Sequence, residues 1–429
     1  MKIAVVGSGV SGLAATWLLN EFSDHEVHLY EADSRPGGHA NTVNFKQPGN
    51  KSGTQVDVDT GFIVFNPSTY PNFLRFLRLY PSLKSAILPT EMTFSVSRDG
   101  GEYLEKEGYS DAFRDDYLIV TGKPSWLTLH GGSQRYVKHI LSSLPSSQLH
   151  LNAPVCSVSS VILPHLSPDQ SHSYVDIQTA EGAARFDHVI MACHSDVALD
   201  VLRAGGGLNK QEKSILESFK WNRNEAVLHS DVKLMPKRRI AWSCWNYLTR
   251  SAIDANSGEK KANVDQVALT YWMNDLQHIS EKEHGPIFVT LNPPFEPDAD
   301  KVAGRYQYDH PVLDATAITA QSKMHTIQNK RGISFAGAWL NYGFHEDGFT
   351  SGLRAALALQ APDSNDIRVP FEVLDADREP QPVLVSVLFD VLEGTGMKRL
   401  LGNVLGFWLD FWLMVFLGVF ALFVRLLDG

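Results

Sequence analysis

The sequence predicts an α/β fold that begins with a parallel sheet, and three features near the amino terminus predict it. A short apolar strand, Lys2–Val6, runs into the glycine-rich sequence GSGVSG at residues 7–12, and an apolar helix is expected to begin near Leu13. A second strand is expected over Glu26–Tyr30. A strand, a glycine-rich turn, a helix and a second strand in this order are typical of a dinucleotide-binding βαβ unit.

The glycines of this turn are expected to have separate roles. Gly7 makes the tight turn from strand to helix, Gly9 leaves room for a pyrophosphate, and Gly12 allows the helix to pack closely on the strand. Val10 and Ser11 lie at the start of the helix, where unbonded amides and the positive end of the helix dipole favour a phosphate. The sequence therefore predicts that these five residues bind a dinucleotide.

An acidic residue follows the second strand. Glu31 follows Gly12 at about the twenty-residue spacing that the motif requires. With its neighbour Ala32, it lies where a carboxylate accepts hydrogen bonds from the hydroxyl groups of a ribose. An acid at this position also disfavours the 2′-phosphate of NADP.

The next segment distinguishes a flavin from a nicotinamide cofactor. Residues 35–39 read RPGGH and resemble the Arg-x-Gly-Gly segment of FAD-dependent amine oxidases, phytoene desaturases and protoporphyrinogen oxidases. The resemblance implies that Arg35, Gly37 and Gly38 hold the FAD diphosphate. It also implies that His39 packs against the cofactor.

A second half-site is expected in the last quarter of the chain. The sequences FAGAW at 335–339 and GFHEDG at 343–348 resemble the closing flavin-binding motif of the same superfamily. This resemblance implies an acid near the ribityl phosphate and a helix N-terminus facing the flavin pyrimidine oxygen, where its dipole stabilises reduced flavin. The additional cofactor-binding residues that the resemblance implies are Gly337, Glu346, Asp347, Gly348 and Val155, the last of which meets the adenine through its backbone.

The middle of the chain resembles one group of proteins more closely. The motifs VDTGF at 58–62, ACHSD at 192–196, LHSD at 228–231 and TLNP at 290–293 follow in order. They are similar to motifs of predicted FAD-binding oxidoreductases associated with cyclopropane-fatty-acid synthases, which implies an FAD enzyme connected with lipid. The chain is shorter than those proteins around 92–126, which indicates either a smaller, more open pocket or an incomplete version of a longer protein.

The predicted organisation is interleaved rather than serial. A Rossmann-like FAD-binding domain alternates along the chain with an α+β substrate domain, followed by a connector and a C-terminal membrane helix. The sequence contains no second strand-glycine-helix unit, so the substrate is expected to reduce FAD directly. The expected bounds are 1–75, 146–205 and 326–362 for the FAD-binding domain, 76–145 and 206–325 for the substrate domain, 363–403 for the connector and 404–424 for the membrane helix.

The C-terminal segment has the composition of a membrane helix. The twenty-one residues 404–424 are apolar except for Asp410, and this is about the length that crosses a bilayer core. Lys398 and Arg399 precede the segment, which predicts a membrane-associated protein with a cytosolic catalytic body. The charge of Asp410 leaves open a helix that lies in one leaflet instead of crossing both.

Composition argues against several functions. A formal net charge of −10 disfavours a nucleic-acid partner, because phosphate neutralisation needs clustered lysine and arginine. The three cysteines contain no CxxC pair, which excludes a disulfide scaffold, and the sixteen histidines have no close metal-ligand spacing, so we expect no metal. The basic run at 237–239 favours a solvated turn over a binding patch.

Two catalytic hypotheses and one non-catalytic hypothesis follow. An FAD-dependent oxidase or desaturase would take hydride from an apolar, lipid-related substrate to flavin N5. A flavin amine oxidase would oxidise a neutral amine, commonly in an aromatic cage, and the third hypothesis is a membrane-tethered FAD-binding protein with an incomplete substrate pocket. Tyr342 and His345 flank the flavin-facing turn and are the candidate catalytic residues, although His345 fits a structural role equally well.

Overall fold

A computed structural model of the protein contains the parallel sheet that the amino terminus predicts. Residues 1–374 form one unit, and Trp412 is the one residue described from the second unit, 375–429. The structure describes residues 1–47, 54–98, 126–162, 173–249, 251–253, 260–262, 268–360, 367–374 and 412.

The elements are named here in chain order over the described residues. The strands are β1 Lys2–Val6, β2 Glu26–Tyr30, β3 Thr42–Phe45, β4 Val56–Asp59, β5 Ile87–Thr90, β6 Phe94–Arg98, β7 Trp126–Leu129, β8 Leu149–His150, β9 Ser157–Ile162, β10 Ser173–Thr179, β11 Gly182–Phe186, β12 His188–Met191, β13 Lys220–His229, β14 Trp245–Thr249, β15 Ser251–Ile253, β16 Lys260–Ala262, β17 Ala268–Trp272, β18 Phe288–Leu291, β19 Val302–Val312 and β20 Ile333–Phe335. The α-helices are α1 Val10–Phe22, α2 Pro71–Leu79, α3 Pro81–Lys84, α4 Gln134–Ser142, α5 Ser195–Ala204, α6 Lys210–Leu216, α7 Met273–Leu276, α8 Glu281–His284, α9 Ala315–Lys323 and α10 His345–Leu357.

The first strand lies at the centre of a five-stranded parallel sheet with the order β20-β12-β1-β2-β8. Both faces of β1 are covered. Ile3 and Val5 belong to the core that contains α1, whereas Ala4 and Val6 belong to a second core with β9, β10 and α5. A strand buried on both faces explains why four consecutive positions, 3–6, are apolar rather than alternate ones.

A second, larger sheet has six strands in the order β19-β13-β18-β17-β14-β6. Its pairings are antiparallel except that β14 and β6 are parallel. One face of this sheet packs on β3, β4 and residues 63–64 in a third core. The same face therefore meets the chain that follows the glycine-rich loops.

Two sequence-based bounds are wrong in detail. Helix α1 begins at Val10 instead of near Leu13, because Gly9 takes the N-cap position. The sequence HLNAPV at 150–155 also predicts a strand of the FAD-binding domain, and the structure limits this strand to β8, Leu149–His150. The chain beyond β8 stays beside β2, since the Ala153 N–H donates to the Glu31 carbonyl at 2.9 Å.

Several predictions fall on residues that the structure does not describe. The predicted membrane helix 404–424 lies outside the described residues apart from Trp412, as do most of the connector and the shortened region at 99–125. Within the described ranges, no helix combines the length and apolar character needed to cross a membrane. The domain bounds remain predictions.

Candidate functional site

The three glycines of the first turn have three different surroundings. A Cβ atom on Gly7, whose φ is +105°, would lie 2.7 Å from the carbonyl oxygen of Ala192. A Cβ on Gly12 would lie 1.9 Å from the carbonyl oxygen of Gly7, whereas a Cβ on Gly9 would meet nothing within 4 Å. Close backbone packing therefore requires glycine at positions 7 and 12, whereas Gly9 borders open space.

Helix α1 begins at this open space without a side-chain cap. Gly9 is its N-cap residue, no side chain caps the first amides, and the first turn contains no acidic residue. The first amides of a helix have no partner within the helix, and its dipole places partial positive charge there. Val10 and Ser11 thus present their amides where an anionic group such as a diphosphate fits.

The RPGGH loop lies against the same turn. The Gly37 N–H donates to the carbonyl oxygen of Ser8 at 3.1 Å. A Cβ on Gly38, whose φ is +56°, would lie 3.1 Å from the Gly9 Cα. Arg35 stabilises the loop by donating from Nη2 to the Gly38 carbonyl at 2.9 Å. The structure therefore brings both glycine motifs to the N-terminus of α1.

Glu31 lies at the carboxyl end of β2, beside the turn. Its Oε2 accepts a hydrogen bond from the Ser8 N–H at 2.9 Å, and its Oε1 accepts one from the Asp33 N–H at 2.9 Å. Ala32 is exposed next to it. Oε2 also accepts the Ser8 hydroxyl, whereas Oε1 can accept a further bond, so the position is compatible with the predicted contact to a ribose.

Val155 lies near the same edge of the parallel sheet. The Glu31 N–H donates to the His150 carbonyl at 2.8 Å, and the neighbouring bond from Ala153 back to Glu31 holds the segment that leads to Val155 beside β2. Val155 itself is buried in the second core. This arrangement places the predicted adenine contact on the side of the turn where Glu31 lies.

The second half-site lies beside the first because α10 packs closely on α1. A Cβ on Gly352 would lie 2.0 Å from the Ser11 carbonyl oxygen, and a Cβ on Gly348 would lie 2.5 Å from Val10 Cγ1. Such short distances leave space only for glycine at these contacts. The N-termini of α1 and α10 are consequently neighbours, although their sequences lie more than three hundred residues apart.

Asp347 closes the first turn of its own helix. Its Oδ2 accepts the Phe344 N–H at 2.8 Å, and its Oδ1 accepts the Asn341 side-chain amide at 2.9 Å. Gly337, further upstream, donates its N–H to Ser351 Oγ at 2.9 Å. These bonds fix the loop that carries the second motif.

Glu346 faces a different helix. Its Oε1 accepts the Asn72 N–H at 2.8 Å and its Oε2 accepts the Phe73 N–H at 3.0 Å, so its carboxyl group caps the first turn of α2. The side chain is buried, and this burial raises the pKa of Glu346 to about 7. The observed contacts are structural, and binding of the ribityl phosphate by Glu346 stays a prediction.

The two candidate catalytic residues lie in contrasting places. His345 stacks on Phe62 with ring centroids 3.7 Å apart, and its Nε2 lies 2.8 Å from the Tyr136 hydroxyl. Burial lowers the pKa of His345 well below its ordinary value. Tyr342 is 64% exposed. The structure therefore places His345 in an aromatic core and Tyr342 at the surface.

A polar cluster that sequence reasoning missed lies between the RPGGH loop and the six-stranded sheet. The Asn41 side-chain amide donates to the Tyr308 hydroxyl at 2.9 Å, and Thr60 Oγ1 lies 2.6 Å from the same hydroxyl. The rings of His39 and His310 stack with centroids 5.3 Å apart, and burial lowers the pKa of His39 to about 3. Two sequence features contain members of this cluster, the RPGGH segment with His39 and the VDTGF motif with Thr60, but neither indicates that they meet Tyr308.

Two rows of uncharged side chains run across one face of the six-stranded sheet, and we call these two rows the aromatic face. Directly paired residues on neighbouring strands point to the same side of a sheet, so the register defines its members. The aromatic face consists of Tyr306, Ala226, Leu291, Leu269, Tyr247 and Val96 in one row, and of Leu228, Val289, Tyr271, Trp245 and Phe94 in the next.

The aromatic face continues into the polar cluster. Tyr308 and His310 follow Tyr306 at alternate positions of β19 and so point to the same side. Toward the other edge of the sheet, Trp245 and Tyr271 are half-buried and meet edge to face, with ring centroids 4.9 Å apart. The face is therefore polar near the glycine loops and apolar farther away, where Leu269 and its neighbours lie. Among the described residues, no group of three side chains is arranged to hold a metal ion.

Comparison with protein families gives two matches. The model of an NAD(P)-binding Rossmann-like domain matches residues 5–79, and the model of the flavin containing amine oxidoreductases matches residues 93–215. No curated protein matches the whole sequence significantly. The first match covers the glycine-rich turn and the RPGGH loop.

Two solved structures have a similar fold at low sequence identity. A CLA-producing fatty acid isomerase from P. acnes has a TM-score of 0.54 and 13% identity, and the match covers 84% of this chain and 98% of that chain. Cyclohexylamine oxidase from Brevibacterium oxydans IH-35A has a TM-score of 0.53 and 13% identity, covering 83% of this chain and 98% of that chain. The match to the flavin containing amine oxidoreductases, together with the glycine motifs at α1, identifies the chain as an FAD-dependent oxidoreductase, whereas the two solved structures show only that the fold is shared.

Proposed function

We propose that this protein takes hydride from an apolar, lipid-related substrate to N5 of a bound FAD. The residues at the site fit such a cofactor. Gly9 borders open space at the uncapped end of α1, and the RPGGH loop lies against it. A bound flavin would supply the hydride acceptor, and the side chains around it would bind and orient the cofactor and the substrate.

The chain's own groups bind the cofactor by charge and hydrogen bonding. The amides of Val10 and Ser11 receive the diphosphate at the positive end of α1. Arg35 holds the loop beside them and adds a positive charge near the same oxygens. The Glu31 carboxylate, which lies beside the turn, would accept hydrogen bonds from the ribose hydroxyl groups.

The proposed substrate class is inferred from the aromatic face. The residues that define it are uncharged, and its half-buried members Tyr306, Tyr271 and Trp245 lie at the margin of the third core, where part of each ring is not covered. A charged or strongly polar substrate would lose its hydration here without gaining partners, whereas an apolar chain gains free energy from burial. Such a surface also keeps water away from the reacting carbon.

A flavin amine oxidase is the second candidate, and one specific feature favours it. The perpendicular rings of Trp245 and Tyr271 provide the kind of aromatic surface that surrounds a neutral amine. The two structural neighbours are divided in the same way, since one is named for a fatty acid and the other for cyclohexylamine. Their names therefore do not choose between the candidates.

The localisation belongs to the proposal as well. We propose a membrane-associated protein whose segment 404–424 attaches a cytosolic catalytic body, because a lipid substrate would be supplied from the bilayer.

The test is anaerobic reduction of the detergent-solubilised full chain. Its visible spectrum is recorded, and flavin bleaching is followed with a panel of fatty acids, phospholipids and amines, together with peroxide release in air. Bleaching by lipid alone supports the first candidate, and bleaching by amines with peroxide release supports the second. Protein that is colourless and takes up no added FAD would overturn both.

Two variants locate the substrate surface. Tyr271→Ala removes an aromatic ring from the aromatic face, and we expect the KM for the substrate to rise about tenfold with little change in kcat. Trp242→Phe is the control, because Trp242 packs against Trp272 and Phe288, which lie on the opposite face of the sheet. Equal effects of the two variants would contradict the assignment of the substrate to the aromatic face.

A further inference from the structure

His310 belongs to the polar cluster that continues the aromatic face. It points to the same side of β19 as Tyr308, but its own side chain is exposed whereas Tyr308 is buried. Its ring stacks on His39 of the RPGGH loop. A Cβ on Gly343, in the loop that precedes α10, would lie 3.2 Å from Cγ of the adjacent Pro311. His310 therefore lies where the loops of both cofactor half-sites approach the aromatic face.

A chain of hydrogen bonds orients the side chain next to this ring. The backbone N–H of Glu225 donates to Asn292 Oδ1 at 3.0 Å, which leaves Asn292 Nδ2 to donate to Asn224 Oδ1 at 2.7 Å. The Asn224 amide nitrogen then donates to the Asn222 carbonyl at 3.1 Å, and it lies 2.8 Å from His310 Nδ1. Because a backbone N–H can only donate, its position determines the orientation of both amides.

This chain determines which nitrogen of His310 carries the proton. The Asn224 amide donates to Nδ1, so Nδ1 is an acceptor and the proton of the neutral ring lies on Nε2. A proton on Nδ1 as well would face the amide hydrogens of Asn224. Desolvation by the surrounding residues lowers the pKa of His310, and the Tyr308 carbonyl and the charge of Asp309 oppose this only in part. The ring therefore stays neutral near pH 7, with Nε2–H as its donor for a ligand.

We propose that His310 donates its Nε2–H to an uncharged carbonyl oxygen of the substrate. This inference rests on the proposed function and narrows its substrate class to apolar chains that carry a carbonyl group, such as esters and ketones. A carbonyl oxygen only accepts, so it matches a side chain whose donor is fixed. A neutral amine would give to this N–H the lone pair that its oxidation requires. A carboxylate would exchange its hydration for a neutral donor beside Asp309.

The test observes the carbonyl group of a bound probe and needs no turnover. Octan-2-one with a carbon-13 label at the carbonyl is added to the FAD-loaded, detergent-solubilised full chain, and isotope-edited infrared spectra record its carbonyl stretch. A hydrogen bond weakens the C=O bond, so we expect a band at lower frequency than that of the ketone in detergent alone. Calorimetric titration compares the ketone with octanoate and with 2-methyloct-1-ene, which has the same shape but no acceptor.

Three variants separate a hydrogen bond from packing. His310→Phe keeps a ring against His39 but has no N–H, so the band should return to its position in detergent. Its ketone affinity should fall about fivefold, with the alkene affinity unchanged. Asn224→Ala no longer fixes the proton on Nε2 and should weaken ketone binding by a smaller factor. His325→Phe replaces an exposed histidine outside the site and is the matched control, which should change neither quantity.

Several results would overturn the proposal. These are an unshifted band in the parent protein, a shifted band that persists in His310→Phe, equal losses of ketone and alkene affinity in that variant, and tighter binding of octanoate than of the ketone. If His310→Phe does not fold, unchanged ketone affinity in Asn224→Ala has the same consequence. Flavin bleaching by lipid alongside any of these results would leave the proposed function standing. Colourless protein that still shifts the carbonyl band through His310 would instead retain this site and refute the proposed function.

Discussion

Helices α1 and α10 begin side by side, yet their first turns are built in opposite ways. The first turn of α1 has a glycine N-cap and no acidic residue, whereas the first turn of α10 contains Glu346 and Asp347. Asp347 accepts a backbone amide of its own turn, and Glu346 caps α2. The partial positive charge of α1 is thus left for a ligand, while that of α10 is balanced by the protein's own carboxylates. Only the α1 end is suited to a diphosphate.

The largest expected effect comes from the glycine that packs α1 on its strand. In Gly12→Val, the new side chain would begin 1.9 Å from the Gly7 carbonyl oxygen and 3.2 Å from the Ala192 Cβ, and the Gly7 backbone cannot move aside as a flexible side chain could. We expect a loss of about 3 kcal/mol or more in the free energy of unfolding, measured by denaturant unfolding and soluble yield. A variant as stable as the parent would mean that α1 does not lie this close to β1.

The capping acid of α10 gives the next largest effect, as a pH dependence. The pKa of Glu346 is raised by burial from 4.5 to about 7, so between these values the folded chain binds a proton that the unfolded chain has lost. Its contribution to stability is complete below pH 4.5, declines as the pH rises, and is lost above pH 7. The decline amounts to about 3 kcal/mol.

The variant Glu346→Gln tests this assignment by thermal unfolding across pH. Glutamine keeps one acceptor oxygen for α2 but does not titrate, so the decline between pH 4.5 and 7 should become shallower. Part of it should remain, because burial also raises the pKa of Asp59, to about 6. A profile identical to that of the parent would show that Glu346 is not the titrating group.

How well the sequence predicts a contact in this fold depends on how far apart the two contacting residues lie along the chain. The strands β1 and β2 and the glycine turn follow from a local pattern, and the start of α1 was misplaced only because an apolar pattern does not reveal that Gly9 is the N-cap. The partners of Glu346 lie 274 and 273 positions away, on a helix whose packing no local pattern encodes. The polar cluster around Tyr308 likewise requires the pairing of β13 with β19.

The open end of α1 provides the third prediction. Since a Cβ on Gly9 would meet nothing within 4 Å, Gly9→Asp should leave the free energy of unfolding of the apoprotein within about 0.5 kcal/mol of the parent. Its carboxylate would occupy and neutralise the anion site, and we expect FAD affinity to fall about a hundredfold, measured by flavin fluorescence titration. Gly9→Ala is the matched control and should weaken binding less. Unchanged FAD affinity in Gly9→Asp would show that the diphosphate does not bind at the N-terminus of α1.

The smallest effect distinguishes a structural from a catalytic histidine at the start of α10. Tyr136→Phe removes the hydroxyl that bonds His345 Nε2, leaving a buried nitrogen without that partner at a cost of about 1 kcal/mol. Because burial keeps the pKa of His345 well below its ordinary value, the ring stays neutral near pH 7 and supplies no titrating acid or base. We therefore expect a lower melting temperature with unchanged kcat and an unchanged pH–rate profile.

The control for this variant is Tyr342→Phe, which removes an exposed hydroxyl and should alter stability by less than about 0.5 kcal/mol. If Tyr136→Phe instead kept the parental melting temperature but lost turnover or shifted the pH–rate profile, His345 would act on the reaction through its hydrogen bond to Tyr136. Glu346 and Asp347, which follow His345 in α10, would then lie beside a catalytic group. The N-terminus of α10 would take part in catalysis, whereas the N-terminus of α1 would bind the cofactor.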